Sequence, residues 1–225
     1  MAKNLASVRT RIEKAAARVG RDADEIKLVA VSKTHPPQAL KDAIASGVTI
    51  FGENKVQEGQ EKIPEIGRNA AEWHLIGHLQ SNKARKAAQL FDVIESLDSL
   101  ELAERLERIC TEERRTSMSV FVQVDLAREE KKSGVSEKDL PALVEFMKGC
   151  AILRLDGLMV LPPYFNDYED VRPYFRRLRA LRDDVLPGGG LSMGMSHDFE
   201  IAIEEGATVI RVGTAIFGDR GYSKG

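Results

Sequence analysis

The sequence predicts an α/β protein that folds as a single (β/α)8 barrel, the TIM-barrel architecture. Eight short runs of β-branched and apolar residues alternate with stretches whose apolar residues recur at helical spacing. Each run lies too far along the chain from the next for a hairpin, so we expect crossover connections and a parallel sheet. Eight such units fit most economically into 225 residues as a closed barrel. An open doubly wound sheet is the alternative.

The predicted elements follow one another without a linker rich in Pro, Gly and Ser, which indicates one domain over residues 1–225. An amphipathic helix over residues 4–19, ended by Gly20, precedes the first strand. The predicted strands cover residues 27–32, 48–51, 72–76, 92–95, 120–125, 153–159, 191–193 and 208–212. The predicted helices between them cover residues 38–46, 55–66, 82–90, 100–115, 137–148, 168–185 and 197–205. Two pairs have the spacing that caps a helix, Asp98 with Glu101 and Ser136 with Asp139.

Composition and charge are those of an ordinary globular protein, with 30% charged and 43% hydrophobic residues. The net charge of −2 argues against nucleic acid as the main partner. No run reaches membrane-span length, and the charged N-terminus lacks the apolar core of a signal peptide, so we expect a cytoplasmic protein. Cys110 and Cys150 have no paired spacing, and His35, His74 and His78 match no compact metal motif. We therefore expect no metal site, and structural or hydrogen-bonding roles for these histidines.

Unusual polar residues fall directly after the predicted strands. Lys33 follows the first strand, Asn54 follows the second, and Arg211 stands near the end of the eighth. In a barrel all of these positions belong to the mouth formed by the carboxyl ends of the strands, where ligand sites of this fold are built. The sequence therefore predicts one site drawn from several loops.

Two loops late in the chain predict a phosphate site. Gly194, Met195 and Ser196 precede a predicted helix, with Ser196 in the expected N-cap position, and Gly213 and Thr214 begin a short final turn. Free backbone N–H groups and hydroxyls there would face outward together. The same residue types also cap ordinary helices. Their occurrence after both the seventh and the eighth strand favours phosphate, because barrels commonly hold one there.

Lys33 is expected at a strand tip, because Pro36 and Pro37 forbid the strand from continuing. The ordinary interpretation is a solvated surface lysine, whereas desolvation beside a cation would make the amine a nucleophile. An amine beside a phosphate site suits pyridoxal phosphate, or else a sugar-phosphate aldehyde. Arg211 would lie close by, because strands one and eight are neighbours. It fits a pyridine nitrogen kept unprotonated, or a clamp for a phosphate or carboxylate.

Once these residues are assembled, the chain resembles the pyridoxal phosphate homeostasis family, the YggS/PROSC-type PLP-binding proteins. The matching segments occur in the expected order and span most of the chain. They are AVSKT (30–34), FGENKVQE (51–58), WHLIGHLQSNK (73–83), EKKSG (130–134), GLM (157–159), LSMGMSHD (191–198) and IRVGTAIFG (210–218).

The resemblance implies a barrel like the N-terminal domain of alanine racemase, with pyridoxal 5'-phosphate bound to Lys33 as an internal aldimine. It also implies roles for the loop residues: Met195, Ser196, Gly213 and Thr214 would hold the phosphate, Arg211 would face the pyridine nitrogen, and Asn54 would line the ring. Lys132 matches a family lysine near the site, whose role the sequence does not assign. Asp125 stands where the family pattern leads us to expect asparagine, and the three glycines at 188–190 form an unusually flexible loop.

The function that the resemblance implies is pyridoxal phosphate homeostasis, in which the protein binds the cofactor and affects its pool and amino-acid balance without a demonstrated reaction. Pyridoxal phosphate-dependent apoenzymes would be the recipients, the protein would be a monomer, and no residue is assigned a catalytic role. A racemase is the first alternative, but racemisation needs two opposed bases, and alanine racemases take the second from a β domain for which 225 residues leave no room. A Schiff-base aldolase acting on sugar phosphates is the second alternative.

Overall fold

The computed structural model describes residues 1–127 and 133–218, and Lys132 lies outside the described residues. The strands are β1 (Lys27–Val31), β2 (Ile50–Glu53), β3 (Glu72–Leu75), β4 (Val93–Leu97), β5 (Met118–Gln123), β6 (Leu153–Met159), β7 (Gly190–Ser192) and β8 (Val209–Val212). The α-helices are α1 (Ala2–Arg18), α2 (Pro37–Ala45), α3 (Val56–Ile66), α4 (Ala84–Leu90), α5 (Leu100–Glu112), α6 (Leu140–Lys148), α7 (Arg172–Val185), α8 (Phe199–Glu204) and α9 (Thr214–Phe217). Within the described ranges, no helix has both the length and the apolar character that crossing a membrane requires.

The eight strands form a closed parallel barrel in sequence order. The first strand pairs with β2 through Ala30 and Phe51, and with β8 through Val29 and Arg211. This double pairing confirms the (β/α)8 prediction and shows that the open-sheet alternative is wrong. The strand sequences are continuous apolar runs because both faces of such a sheet are buried, one against the helices and the other inside the barrel.

The apolar core has two layers, one on each side of the sheet. The larger layer lies between the strands and the surrounding helices, and its largest buried side chains are Trp73, Phe51, Phe91, Phe175 and Phe199. The smaller layer lies inside the barrel and contains Val29, Val31, Ile76, Val93, Phe121, Met159 and Val209. Branched and bulky side chains usually fill such an interior. Here they share it with charged groups that belong to the candidate site.

Several boundaries differ from the predicted ones. The second strand begins two residues later than expected, because Val48 is still part of the turn after α2 and its N–H donates to Ala43. The N-terminus of α5 is capped by Ser99, whose hydroxyl accepts from the Leu102 N–H at 3.3 Å. The predicted cap by Asp98 is therefore wrong.

The carboxylate of Asp98 is bound elsewhere, at 3.0 Å from His78 Nδ1. The second predicted pair is confirmed, because the Ser136 hydroxyl accepts from the Asp139 N–H at 3.1 Å. This bond closes the turn that leads into α6.

The extra N-terminal helix packs against α8 and α9, the two helices that follow the last strands. Arg11 donates to the Glu200 carboxylate at 2.6 Å and lies 4.3 Å from the centre of the Phe199 ring. Asn4 donates to the Ile216 carbonyl at 3.1 Å. The first helix therefore braces the final two β-to-α connections from outside the barrel.

Close contact between β6 and β7 leads to a first prediction. A Cβ added at Gly157 would lie 2.2 Å from the Gly190 carbonyl oxygen, which is backbone and cannot swing aside. We expect Gly157→Ala to lower the free energy of unfolding by about 3 kcal/mol, the upper end of typical overpacking costs. Chemical denaturation would measure the loss.

Gly149→Ala is the matched control, because its Cβ would lie 3.4 Å from the Phe146 oxygen and its backbone is ordinary. Its unfolding free energy should stay within about 0.5 kcal/mol of the parent. Equal stability of the two variants would contradict the inferred contact between β6 and β7.

Candidate functional site

Lys33 lies half-buried, two residues beyond the end of β1, and so follows the first strand as the sequence predicted. The ladder ends with the Ser32 N–H, which donates to the Gly52 carbonyl at 3.0 Å. The chain then turns, and the His35 N–H donates back to the Ser32 carbonyl at 3.1 Å. The lysine therefore projects from a tight turn at the mouth of the barrel.

Both neighbours of this lysine are held by a buried ionic cluster. The Ser32 hydroxyl donates to Glu53 at 2.7 Å, and the Ser32 carbonyl accepts from the Lys62 ammonium at 2.8 Å. On the other side, the Thr34 N–H donates to the Glu58 carboxylate at 2.7 Å. Thr34 adopts a φ of 68°, a conformation that a β-branched residue rarely accepts without such support.

The cluster contains one ammonium, that of Lys62, and two carboxylates, those of Glu53 and Glu58. Lys62 contacts both carboxylate oxygens of Glu53, at 2.9 and 3.0 Å, and both side chains are almost fully buried. Burial raises the pKa of the Glu53 carboxyl, and the charge of Lys62 offsets only part of that rise. The cluster fixes the backbone on either side of the candidate lysine.

The strand register brings two other predicted residues next to Lys33. Val31 is paired with Gly52, so the residues that follow them, Lys33 and Asn54, leave neighbouring strands at the same level. On the other side, a Cβ built on Gly213 would lie 3.3 Å from the Val31 carbonyl oxygen. The loops after β1, β2 and β8 therefore meet at one edge of the mouth.

The two predicted phosphate loops meet through a single hydroxyl. Ser196 Oγ accepts from the Gly213 N–H at 3.2 Å and from the Ala215 N–H at 3.4 Å. Its predicted role as N-cap of α8 is wrong, because a turn over residues 196–198 comes first and the helix begins at Phe199. The serine instead occupies a point on which backbone donors of the next loop converge.

Met195 and Thr214 flank this point. Met195 is exposed, and its N–H donates to the Asp198 carboxylate at 2.6 Å. Burial raises the pKa of that carboxyl, and the Met195 N–H opposes the rise. Thr214 is half-buried and opens α9 directly after Gly213, as predicted. Gly194, with a φ of 94°, gives this loop a backbone conformation that favours glycine.

Arg211 projects into the barrel and is 2% exposed. Its Nη2 donates to the Val160 carbonyl at 2.8 Å, and its Nη1 donates to the Ser192 hydroxyl. Nη1 also lies 3.6 Å from the Glu95 carboxylate. The guanidinium is therefore held by β7 and by the residue that follows β6, and it is paired with a carboxylate from β4.

A line of buried groups continues from Arg211 across the barrel. The Ser192 hydroxyl donates to Glu95 Oε2 at 2.6 Å, and Glu95 Oε1 lies 2.5 Å from His74 Nδ1. The other ring nitrogen of His74 lies 2.8 Å from the Glu72 carboxylate. We call the four residues Arg211, Ser192, Glu95 and His74 the buried arm.

The charges of the buried arm are set by these contacts. Burial lowers the pKa of His74, but its hydrogen bonds to Glu72 and Glu95 outweigh burial and raise the pKa to about 9. Burial likewise raises the pKa of Glu95, but His74 and Arg211 outweigh it and hold that pKa below its usual value. At neutral pH one buried carboxylate therefore lies between two cations.

Sequence reasoning did not identify most of these supporting residues. His74 was expected to have a structural or hydrogen-bonding role, and its contacts confirm that. Glu95 was missed, although a carboxylate inside the apolar run Val93–Leu97 is a usable signal, since a buried charge needs a partner. Lys62 was missed because nothing local shows that its side chain is buried against Glu53.

A family model, a curated relative and a solved structure each match nearly the full chain. The alanine racemase N-terminal domain family matches residues 4–221. A relative from Aquifex aeolicus named "Pyridoxal phosphate homeostasis protein" is 42% identical and covers 97% of each chain. The solved structure of PipY from Synechococcus elongatus with PLP bound is similar, with a TM-score of 0.85 and 40% identity, and covers 96% of this chain and 99% of that chain.

The similarity to a more distant solved structure shows only that the two proteins share a fold. Alanine racemase from Corynebacterium glutamicum matches with a TM-score of 0.65 at 15% identity, over 94% of this chain and 60% of that chain. The racemase therefore shares the barrel and contains further chain beyond it.

The raised pKa of His74 leads to a prediction about stability and pH. Because its folded-state pKa of about 9 lies above the usual histidine value of 6.5, this histidine stabilises the protein fully below about pH 6.5. The stabilisation should be lost as pH rises from 6.5 to about 9. Denaturant unfolding of the parent across this range should show a decline that is absent in His74→Gln.

His78→Gln serves as the control, because His78 is an exposed rim residue that contacts Asp98 and not the buried arm. It should keep the pH dependence of the parent. A parallel decline in the parent and in His74→Gln would show that His74 does not carry the effect.

Proposed function

Because the chain belongs to the alanine racemase N-terminal domain family and, within it, to the pyridoxal phosphate homeostasis proteins, we propose that it binds pyridoxal 5'-phosphate in that role. The single observation that carries the proposal is the arrangement at the mouth of the barrel. A lysine, a pair of converging backbone N–H groups and a buried guanidinium leave adjacent strands there. This donor set fits a phosphorylated pyridine aldehyde.

The phosphate would lie against the last two loops. The Gly213 and Ala215 N–H groups already converge on one oxygen, the Ser196 hydroxyl. A phosphate oxygen can accept from the same donors, and the serine hydroxyl can then rotate and donate to it. Met195 and Thr214 are proposed to complete the phosphate contacts.

Lys33 is proposed to hold the cofactor covalently. Its Nζ would add to the aldehyde carbon, and the carbonyl oxygen would leave as water. The buried cluster behind Ser32 and Thr34 fixes the backbone on both sides of the lysine, which limits where the amine can go. Bound in this way, the cofactor supplies a conjugated imine that can withdraw electrons from an amino acid.

Arg211 and Asn54 are proposed to contact the ring, Arg211 at the pyridine nitrogen and Asn54 along the ring edge. A guanidinium stays protonated, so it donates a hydrogen bond to that nitrogen and does not give it a proton. Most pyridoxal enzymes place a carboxylate at this atom to make the ring a strong electron sink. An arginine at this position therefore favours a protein that holds the cofactor, and not an enzyme that uses it in a reaction.

The racemase alternative is weaker. The likeness to alanine racemase is at 15% identity and concerns the fold. The relatives with about 40% identity are named for homeostasis. Incubation of the loaded protein with L-amino acids decides between the two roles. Sustained racemisation faster than that of free cofactor, measured by chiral analysis, would overturn a non-catalytic role. A colourless protein that cleaves a sugar phosphate would instead favour the aldolase alternative.

We propose a cytoplasmic monomer that forms one domain over residues 1–225 and delivers the cofactor to pyridoxal phosphate-dependent apoenzymes. The family resemblance supports the recipients, and the continuous series of strands and helices supports the single domain. Size-exclusion chromatography with light scattering would measure the oligomeric state directly.

Lys33 provides the sharpest test of the proposed function. The purified protein should be yellow, and borohydride should fix the cofactor on a peptide containing Lys33, as shown by mass spectrometry. Lys33→Ala should abolish the fixed product. Lys41→Ala, which removes an exposed lysine of α2, should fix the cofactor as the parent does. A parent protein that takes up no added pyridoxal phosphate would overturn the proposal.

Ser196 tests the phosphate loops separately. Ser196→Ala should weaken pyridoxal phosphate binding roughly tenfold, the effect of losing one hydrogen bond to a charged group. Binding of pyridoxal, which lacks the phosphate, should not change. Ser136→Ala, at an exposed turn before α6, is the control. Equal losses for both ligands in Ser196→Ala would place the phosphate elsewhere.

A further inference from the structure

The buried arm crosses the barrel from one wall to the other. Arg211 and Ser192 come from the neighbouring strands β8 and β7, and Glu95 and His74 from the neighbouring strands β4 and β3. In a closed barrel of eight strands, β4 stands opposite β8. The bond between Ser192 and Glu95 therefore spans the interior and joins residues 97 positions apart.

Stability alone does not explain this arrangement. The four residues of the buried arm are at most 2% exposed, and three of them carry charge. Taking charges out of water costs several kcal/mol for each ion, and apolar residues of similar volume are often as stable as a buried ionic cluster. The ionic layer points to a role at the site, because one of its ends is Arg211.

The contacts of Arg211 leave it able to bind a ligand. Within the described part of the chain, each terminal nitrogen of this guanidinium makes one hydrogen bond, to Ser192 from Nη1 and to Val160 from Nη2. A guanidinium carries five N–H groups, so donors remain for an acceptor above it. Ser192 and Val160 fix the plane of the group, and Glu95 supplies the compensating charge at 3.6 Å.

His74 in turn fixes Glu95. Its Nδ1 lies 2.5 Å from one carboxylate oxygen, while the Ser192 hydroxyl bonds the other at 2.6 Å. Both oxygens of Glu95 are thus occupied, and the carboxylate cannot rotate towards the ligand. The other charged groups near the arm are Glu72 beside His74, Lys27 beside Glu72, Asp198 near Arg211, and Lys33 at the mouth.

We propose that Glu95, held by His74, is the positioning residue that aims the Arg211 guanidinium at the ring nitrogen of bound pyridoxal phosphate and balances its charge. Glu95 does not touch the cofactor in this arrangement and acts through Arg211. The inference rests on the proposed function. The inference adds to that function the residues that set the electrostatic environment of the ring from beneath.

The test is the pH titration of the visible absorption band of the bound cofactor, which converts between two forms as the pH rises. Glu95→Gln removes the negative charge and keeps the shape of the side chain. More positive potential then remains at the ring, so the midpoint should fall by roughly 1 pH unit, as expected for loss of one nearby charge. His74→Gln removes a positive charge from the far side of Glu95 and should raise the midpoint.

The opposed responses separate an electrostatic role from loss of packing. A lower midpoint in Glu95→Gln alone supports the proposal. An unchanged or raised midpoint in Glu95→Gln, or a fall in both variants, overturns it. If Glu95→Gln does not fold, His74→Gln decides, since a raised midpoint supports the proposal and an unchanged or lowered one overturns it.

Glu205→Gln is the matched control. Glu205 is a buried carboxylate paired with Arg172 at 2.9 Å and Arg176 at 3.1 Å, outside the barrel interior. Its loss should lower stability and leave the midpoint unchanged. Borohydride fixation of the parent is measured in parallel. A parent that fixes no cofactor overturns the proposed function itself, whereas fixation with an unshifted Glu95→Gln overturns only this inference.

Discussion

The pairing of β1 with β8 closes the barrel, and the candidate site depends on it. Val29 lies opposite Arg211 in this pair, and a slip of one residue would turn the Arg211 side chain out of the barrel. The same closure brings the turn after β1 against α9, where the His35 ring stacks on Phe217 at 4.8 Å. The lysine and the phosphate loops are thus neighbours because the sheet is closed.

Two buried ionic clusters support the site from different directions. Lys62 and Glu53 lie behind the turn that carries Lys33, and the other residues of the buried arm lie beneath Arg211. Both clusters place charge where a barrel usually packs apolar side chains, which is costly in free energy. The first cluster bonds Ser32, the neighbour of Lys33, and the second ends at Arg211. The cost of burial is therefore linked to the geometry of the mouth, which needs an amine and a guanidinium held at fixed positions.

The N-terminal helix gives a third support, from outside the barrel. Arg11 reaches Glu200 and the Ser196 carbonyl, at 2.6 and 3.5 Å, and Asn4 reaches the Ile216 carbonyl at 3.1 Å. These contacts hold the loops after β7 and β8 side by side, so that the N–H groups of one converge on the hydroxyl of the other. A helix that precedes the first strand in sequence thereby helps to shape a site built from the last two loops.

The sequence by itself determined the eight strand-and-helix units, the parallel barrel and the mouth at which Lys33, Asn54, Arg211 and the two glycine loops lie, because periodicity and turn residues act over a few positions. Only the tertiary structure decided which polar groups meet. Ser196 was expected to cap its own helix, yet its hydroxyl accepts from the next loop. Glu95 meets Ser192 across 97 residues. Contacts of this kind depend on the register and closure of the whole sheet, which no local pattern encodes.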